Sequence, residues 1–284
     1  MMTYHNEVVL ELDEAEYHAH PALSSTGARK LLTAPREFQW YRDNPQPHKA
    51  AFDLGTAAHG KVLGIGSPTV VIPADKLATN GAASTNAAKE FIEQAYAAGQ
   101  TPVKQDVFDE VNAMAESILR NPEARALLEQ DGTAEASVFA TDPDTGVELR
   151  ARFDFLPNFM QDNPWAIDFK TSAKRADGES FGKTCAQLGY DVQQEHYLHT
   201  YAIAAGDASM RMKFIVVETS APYLVAVHEL SYEFGEIGAA RARKARELFA
   251  QWKDQPGIWD GYESDPLPLQ PPLWHIYMNS ELLQ

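Results

Sequence analysis

Cysteine is almost absent from this sequence, since only one of the 284 residues, Cys185, carries a thiol. A single thiol cannot form an intramolecular disulfide, and it cannot supply the several thiolates that hold an iron–sulfur cluster. The sequence therefore excludes a disulfide-stapled scaffold and an enzyme with its own thiolate-ligated cluster. It favours a reducing cytoplasm.

Long apolar runs and several common motifs are also missing. No stretch reaches the ~20 apolar residues of a transmembrane helix, and the start, MMTYHNEVVLELDE, lacks the basic and apolar regions of a secretion signal. The GxxxxGK[ST] loop of nucleotide-driven motors is absent, as are internal repeats and low-complexity tracts. We therefore expect a cytoplasmic protein that has no membrane partner.

Positive charge is scarce: 24 Lys and Arg stand against 40 Asp and Glu, and the net charge is −16. Taken alone, this balance argues against nucleic acid, because phosphate binding relies on Lys and Arg. Basic residues are nevertheless clustered at Arg241, Arg243, Lys244 and Arg246 and at Arg150, Arg152, Lys170, Lys174 and Arg175. An acidic exterior around a basic groove fits these numbers, and so does an ordinary acidic enzyme, which composition alone favours.

The first 130 residues are predicted to be mainly helical. Ser24-Ser25-Thr26 suits a helix N-cap, and the helical region after it is interrupted near Pro35 and ends at Asn44-Pro45. FDLGTAAHGKVL (52–63) is rich in small residues and is predicted to be a helix. Residues 86–98 and 105–130 carry apolar residues at three- and four-residue spacing, which is typical of two further helices.

From residue 134 the periodicity changes to that of strands. AEASVFATDPDTGVELRARFDFLP reads as two strands joined by an Asp-Pro-Asp-Thr-Gly turn, and WAIDFKT reads as a third. The helix LGYDVQQEHYLHTYAIAAG, the strands RMKFIVVET and YLVAVHEL, and a long helix from about Tyr232 to Trp252 follow. We predict one α/β domain over 1–284, with a helical part to about 130, a mixed sheet with an antiparallel meander over about 134–230, and a C-terminal helix and tail from about 231.

The segment WAIDFKT carries an acid and a base two residues apart in an apolar strand. Alternate side chains of a strand share a face, so Asp168 and Lys170 are expected on one face, opposite Trp165, Ile167 and Phe169. The preceding strand places Asp154 near its end on its own polar face. Hard carboxylate oxygens suit Mg²⁺ or Mn²⁺, so the two aspartates are candidate ligands of a divalent ion.

Lys170 would lie beside these carboxylates, able to hold or help deprotonate a water that attacks phosphorus. Its ordinary pKa of ~10.4 makes it a poor base at neutral pH. A metal ion would lower this pKa, whereas two carboxylates would raise it. We therefore expect Lys170 to position groups and stabilise charge, while the metal ion activates the water. The tripeptide alone is a weak signal, because about one Asp-x-Lys is expected by chance at this length and an ion pair on a surface strand would also explain it.

Four ordered segments resemble the motifs of PD-(D/E)xK nucleases and, more narrowly, of the nuclease domain of RecE-type exonucleases (exonuclease VIII). They are FDLGTAAHGKVL, AEASVFATDPDTGVELRARFDFLP, WAIDFKTS and YDVQQEHYLHTY. The resemblance extends from EYHAHPALSSTGARKLL to LPLQPPLWHIYMN, which is nearly the whole chain. It implies a restriction-endonuclease-like core, a mixed central sheet with an antiparallel meander between helices.

The resemblance also implies catalytic roles for seven side chains: Asp154, Asp168, Lys170, His59, Glu135, Gln193 and Tyr197. The two aspartates and the histidine would bind the metal ion, and the lysine would be the catalytic lysine. The glutamate matches an acidic residue on the first meander strand. The glutamine and the tyrosine match a Gln-x-x-x-Tyr signature, whose i, i+4 spacing places both side chains on one helix face.

Each of these roles has a simpler alternative. His59 lies among small residues that suit a close helix crossing, so it could be a packing residue. Tyr197 could be a core aromatic, Gln194 competes with Gln193, and Glu135 could be ordinary edge-strand charge.

Among the basic residues, Arg150 and Arg152 have the better case for contacting DNA phosphates, because they are predicted on the face that carries Asp154. Lys174 and Arg175 are also candidate DNA-binding residues. For the cluster at 241–246, a solvated helix face is at least as plausible as a phosphate track.

The function implied by the resemblance is a Mg²⁺-dependent (Mn²⁺ as the alternative) exonuclease that acts on linear double-stranded DNA ends, 5′ to 3′, and leaves 3′ single strands for recombination. A ring-shaped homo-oligomer and a RecT-like single-strand annealing partner are implied with it. A DNA-end-binding protein that does not cleave and an endonuclease of the same fold are the alternatives.

Overall fold

The structure is a computed structural model that describes residues 4–44, 54–65, 68–158, 164–262 and 268–283. Its strands, in chain order, are β1 (Glu7–Val9), β2 (Thr69–Val71), β3 (Thr101–Val103), β4 (Gly132–Thr141), β5 (Glu148–Pro157), β6 (Trp165–Ser172), β7 (Arg211–Glu218) and β8 (Val225–His228). A six-stranded sheet has the order β1-β4-β5-β6-β7-β8, and β2 and β3 form a separate parallel pair. Within the large sheet only β6 and β7 are parallel. The predicted α/β fold with an antiparallel meander is confirmed.

The described part of the chain also forms eleven α-helices. They are α1 (Glu14–Ala19), α2 (Ser25–Thr33), α3 (Pro35–Asp43), α4 (Leu54–Leu63), α5 (Asn86–Ala97), α6 (Gln105–Arg120), α7 (Pro122–Leu128), α8 (Gly178–Leu188), α9 (Tyr190–Ala205), α10 (Tyr232–Trp252) and α11 (Leu273–Met278). The predicted N-cap is present, since the Ser24 hydroxyl accepts a hydrogen bond from the Gly27 amide at 3.2 Å. Proline interrupts the predicted helices at Pro35 and again at Pro122, where it takes the first position of a new helix.

Some elements differ from the sequence prediction. The part before residue 130 is not purely helical, because β1 joins the edge of the large sheet and β2 pairs with β3. These strands have three residues each, which is too short for a period of two to stand out. Helix α8 was not predicted either, because two glycines and several polar residues interrupt its apolar pattern.

Both faces of the large sheet are covered. One face packs under α8 and α9 through Phe153, Phe214, Phe181 and Tyr201, and the other packs under α4, α6 and α7 through Phe155, Ile167, Met114 and Ile118. Against the first layer, α10 crosses α9 so closely that a Cβ on Gly238 would lie 2.5 Å from the carbonyl oxygen of Asp191. Within the described ranges no helix has the length and apolar character needed to cross a bilayer. The sheet is therefore held rigidly between helices, and its polar side chains emerge where β4, β5 and β6 meet α4 and α9.

Candidate active site

Two carboxylates meet where β4 and β5 run side by side. Ala134 pairs with Phe155 and Ala136 pairs with Phe153, so Glu135 lies opposite Asp154. Glu135 has a φ of +54°, a left-handed conformation that is uncommon for a residue with a side chain and that is often retained at functional sites. The simple alternation of a strand breaks at this position.

His59 reaches these carboxylates from α4. Its Nε2 lies 3.2 Å from Asp154 Oδ1 and 3.7 Å from Glu135 Oε1. The close helix packing suggested by the small neighbouring residues is also real, because Ala58 is fully buried and a Cβ on Gly60 would lie 2.8 Å from the carbonyl oxygen of Ile65. The small residues bring the helix close, and the imidazole then points at the acids instead of into the core.

His59, Glu135 and Asp154 fit a divalent metal ion. One ligand atom from each lies within 4.8 Å of the other two. Asp154 is held for this task, since its Oδ2 accepts a hydrogen bond from the Phe169 amide at 2.7 Å while its Oδ1 faces the imidazole. Two carboxylates suit Mg²⁺ or Mn²⁺, and an imidazole is a common ligand of transition-metal ions. The donor set is thus chemically suited to hold a divalent cation.

Asp168 and Lys170 lie beside this group, on β6. The Lys170 ammonium pairs with Asp168 Oδ2, and the Gln193 side chain donates to Asp168 Oδ1 at 2.6 Å. The Asp168 side chain is only 1% exposed, so both of its oxygens are engaged inside the protein. The three-residue group with metal-binding spacing contains Glu135 and not Asp168, and the role of Asp168 as a metal ligand stays a prediction.

The electrostatics of the site separate its two aspartates. Burial raises the pKa of Asp168 to about 6, with the Asp154 charge adding to the rise and the Lys170 ammonium opposing it. Burial also acts on Asp154, but the hydrogen bond and charge of His59, together with Lys170 and the Phe169 amide, hold its pKa below the usual range. Two neighbouring carboxyls with different proton affinities are a common feature of catalytic sites.

Neighbouring carboxylates raise the pKa of two basic groups of the site, His59 and Lys170. Burial would lower the pKa of His59, yet its hydrogen bond to Asp154 and the nearby negative charges raise it. Burial would likewise lower the pKa of Lys170, and the charges of Asp168 and Asp154 outweigh that effect and raise it. Lys170 is therefore an ammonium at neutral pH, as the sequence led us to expect.

Three residues of α9 face the site along one stripe of the helix. Gln193 holds Asp168, as described. Tyr197 packs edge-on against Phe153, with ring centroids 5.1 Å apart. Burial raises the pKa of Tyr197 well above its usual value, and the charges of Asp168 and Asp154 add to the rise. The ring of Tyr190 lies 4.9 Å from the Lys170 ammonium. Tyr190 was missed in the sequence, although its i, i+3, i+7 spacing with the other two could have revealed it.

The structure corrects the expectation that Arg150 contacts phosphate. Arg150 is only 8% exposed, its guanidinium donates to the Tyr17 carbonyl oxygen, and it lies 4.8 Å from the centre of the Tyr17 ring. Arg152 does reach the site, where it pairs with Glu135 and donates to the Leu12 carbonyl oxygen. Both guanidinium groups are thus used inside the protein, because the N-terminal segment lies over them.

Lys174 and Arg175 lie on the surface after β6. The Lys174 ammonium is 3.3 Å from the Gln187 side-chain oxygen, and Arg175 pairs with Asp177 while its side chain remains 80% exposed. Both can reach a ligand in solution without breaking a buried contact. Their contact with DNA stays a prediction.

The basic cluster at 241–246 does not form a continuous track. Arg241 makes a two-pronged ion pair with Asp191 at 2.8 and 2.9 Å, and buried Arg246 pairs with Asp142. Arg243 and Lys244 remain exposed. Half of the cluster therefore stabilises the packing of α10.

An open cleft of about 840 Å³ gives access to the site. It is lined by His59, Glu135, Arg152, Lys170 and Tyr190, and the N-terminal segment adds Glu11 and Glu14 at its wall. A cleft of this size can take a large ligand. The acidic wall also means that a bound cation would have a favourable electrostatic environment.

Comparison with known proteins places this arrangement in a family. The family described as a PDDEXK-like domain of unknown function (DUF3799) matches residues 34–256. A crystal structure from Eubacterium rectale, described as a "putative exonuclease", has a TM-score of 0.57 and 9% sequence identity, with 96% of this chain and 99% of that chain covered. At this identity the likeness shows the fold alone.

A second solved structure, SSO0001, shares 12% identity over 69% of this chain and 86% of that chain, and its TM-score of 0.27 is too low to carry an argument. No curated protein matches the sequence. The family match alone spans well over half of the sequence and includes His59, Asp154, Asp168 and Lys170. The chain belongs to the PDDEXK-like family DUF3799.

Proposed function

We propose that this chain is a metal-dependent nuclease that hydrolyses phosphodiester bonds of linear double-stranded DNA from its ends. One observation carries the proposal: the donor set His59, Glu135 and Asp154 lies beside the Asp168–Lys170 pair, at an open cleft that His59, Glu135 and Lys170 line. The fold of the family supports it. A cation site next to an ammonium suits a reaction that develops negative charge on phosphate oxygens.

The side chains divide the work of this reaction. His59, Glu135 and Asp154 would hold the divalent ion, which supplies Lewis-acid polarisation of a phosphate oxygen and lowers the pKa of water. Lys170, whose pKa is raised, stays charged and orients the attacking water or stabilises the developing charge. Asp168 fixes the direction of the Lys170 ammonium, and Gln193 fixes Asp168 through the hydrogen bond at 2.6 Å.

The finer assignment follows from the RecE-type resemblance of the motifs. We propose digestion in the 5′-to-3′ direction with Mg²⁺ (or Mn²⁺), 3′ single strands as the product for recombination, a ring-shaped homo-oligomer and a RecT-like annealing partner. A ring would reconcile the net charge of −16 with DNA, because an acidic exterior can coexist with a channel that tracks the strand. Light scattering of the purified protein tests the ring directly.

A time course on linear duplex DNA tests the activity. Duplexes labelled at the 5′ or the 3′ end are incubated with Mg²⁺, with Mn²⁺ and with EDTA, and a closed circular duplex is run in parallel. We expect early release of the 5′ label, no release in EDTA and an intact circle. The Asp154→Asn variant is the control for a contaminating nuclease, since it removes one negative charge from the donor set of His59, Glu135 and Asp154.

Other results would redirect the proposal. Cleavage of the circle would identify an endonuclease of the same fold. Tight binding of duplex ends without any turnover, with either metal ion, would identify a DNA-end-binding protein. Digestion that is equally fast in EDTA would contradict the metal-dependent mechanism.

A further inference from the structure

A second, smaller cavity opens beside the cleft. It has a volume of about 290 Å³ and shares Lys170, Thr171 and Tyr190 with the cleft. A ligand that lies in the cleft against Lys170 can therefore continue into this cavity without crossing a wall. None of the roles assigned so far uses this space.

The walls of the small cavity are mainly apolar and rigid. Tyr190 packs against Phe214 with the ring planes 21° apart, and Phe181, which is 3% exposed, stacks on His228. Leu188 stands at the rim and is 51% exposed, although it is a large apolar residue. A preformed apolar wall with an exposed apolar rim is the usual setting for a flat or ring-shaped ligand group.

The polar side chains of the cavity lining are neutral apart from two lysines. The Thr184 hydroxyl donates to the Ser180 carbonyl oxygen at 3.1 Å, which leaves its oxygen able to accept a hydrogen bond. At the rim, the Lys174 ammonium lies 3.3 Å from the Gln187 oxygen, and both side chains are exposed. Lys170 and Lys174 are the two cations of the cavity lining.

We propose that this cavity binds one nucleoside, base and sugar, next to the phosphodiester bond that is cut. The inference rests on the proposed nuclease function and names a subsite of it. Lys170 and Lys174 both line the cavity, which would suit the two phosphates that flank a nucleoside. The apolar wall and the single amide of Gln187 do not select one base over another, which matches an enzyme that must digest any sequence.

Variants that change the cavity but leave His59, Glu135 and Asp154 intact test the proposal. Thr184→Phe fills the cavity, and Ala186→Phe adds the same ring to α8 at an exposed position that does not line it. Leu188→Ala removes the apolar rim from an exposed position, so it does not threaten folding. Its matched control is Leu119→Ala, a leucine of α6 that is 53% exposed and lies outside both cavities.

Binding is measured in EDTA, so that no cleavage is needed for the readout. Amide NMR titrations use thymidine 5′-monophosphate, thymidine and inorganic phosphate as separate probes. We expect the nucleotide and, more weakly, the nucleoside to shift resonances of Thr184 and Leu188, while phosphate alone leaves them unchanged. Because its phenyl ring occupies the space of the ligand, Thr184→Phe should weaken nucleotide binding about 10-fold or more. Leu188→Ala, which only loses an apolar contact at the rim, should weaken it less. Both controls should match the unchanged protein.

Two results would overturn the subsite. The first is that both variants, Thr184→Phe and Leu188→Ala, bind the nucleotide as tightly as their controls do. The other is inorganic phosphate that competes as well as the nucleotide, which would make this an anion site. The nuclease proposal is judged separately: normal DNA digestion with unchanged binding in both variants removes only the subsite, and nucleotide binding without any DNA digestion removes only the nuclease.

Discussion

Replacement of Lys170 by methionine should destabilise the protein in a pH-dependent way. Methionine keeps a long unbranched side chain but has no charge, so the change removes the ammonium from Asp168. The Asp168 carboxyl is 1% exposed and already has a pKa of about 6. Without Lys170, Gln193 remains as its hydrogen-bond donor, and the pKa of the carboxyl should rise further.

The size of this effect is limited by proton uptake. An aspartate with a pKa of about 6 in the folded protein and ~3.9 in the unfolded chain costs about 3 kcal/mol of stability at pH 8. If the carboxyl of the variant stays protonated, the cost at pH 8 is that of neutralising it, about 6 kcal/mol. The variant should therefore lose up to about 3 kcal/mol more than the unchanged protein at pH 8, but less than about 1 kcal/mol more at pH 6.

The sign follows from proton binding. A raised pKa means that the folded state binds the proton more tightly than the unfolded state, so stability falls as the pH rises above the unfolded value of ~3.9. In the unchanged protein this fall ends near pH 6, whereas in the variant it continues to higher pH. The Lys170→Met protein should thus lose stability between pH 6 and pH 8 relative to the unchanged protein.

Urea unfolding in EDTA at pH 6, 7 and 8 measures this difference without interference from metal ions. The double variant Lys170→Met with Asp168→Asn is the control, because it has no carboxyl to titrate at this position. Its stability relative to the unchanged protein should be nearly independent of pH in this window, while its nuclease activity stays as low as that of the single variant. An equal loss for Lys170→Met at pH 6 and pH 8 would refute the reasoning.

Three further predictions use other parts of the molecule. Asp168→Asn should abolish Mg²⁺-dependent digestion and leave DNA binding, measured by gel shift, largely intact; full activity would remove Asp168 from the site. His196 is fully buried, and burial lowers its pKa to about 4. The contribution of the neutral imidazole to the free energy of unfolding should therefore be complete above pH 6.5 and should fall by about 3 kcal/mol towards pH 4. Unfolding curves of His196→Gln should lack this part of the acid sensitivity, and a difference between the two proteins that stays the same from pH 7 to pH 4 would contradict the prediction. Gly238→Ala should cost about 1–3 kcal/mol of stability, because its Cβ would meet the Asp191 carbonyl oxygen at 2.5 Å. As the control, Gly235→Ala should stabilise the same helix by up to about 1 kcal/mol, since the nearest atom to its Cβ lies at 3.6 Å. Similar melting temperatures for the two variants would contradict the prediction and show that α9 and α10 can move apart.

Much of the fold could be predicted from local pattern. The meander of β4, β5 and β6 follows from strand-like periodicity around a strong turn, and α10 was predicted close to its bounds, Tyr232–Trp252. Elements without a local pattern were missed, namely the three-residue strand β1 and the polar helix α8. Their positions depend on the sheet edge and on the site beneath them, which are contacts between distant parts of the chain.

The candidate site was predicted as a set of residues but not as a geometry. The sequence placed Asp154 and Asp168 together, and they are neighbours in the structure, but the group with metal-binding spacing is His59, Glu135 and Asp154. Glu135 has a left-handed backbone, which interrupts the alternation of β4 and which no local signal announces. The prediction that Arg150 is available to DNA phosphates was wrong because the N-terminal segment that buries it is more than a hundred residues away in the sequence.

The arrangement of charges distinguishes a reactive site from an ion pair that merely stabilises the sheet. A stabilising pair holds the pKa of its acid below the ordinary value, as His59 does for Asp154, while the pKa of Asp168 is raised to about 6 even with an ammonium in contact. Glu135 adds a backbone conformation that opposes folding. Hydrophobic replacement of a buried ion-pair cluster is often neutral or stabilising, so stability alone does not explain why acids, an amine and an imidazole converge here. Binding of a cation and a phosphate would use every one of these charges, and it predicts that Mg²⁺ or Mn²⁺ raises the melting temperature of the unchanged protein more than that of Asp154→Asn.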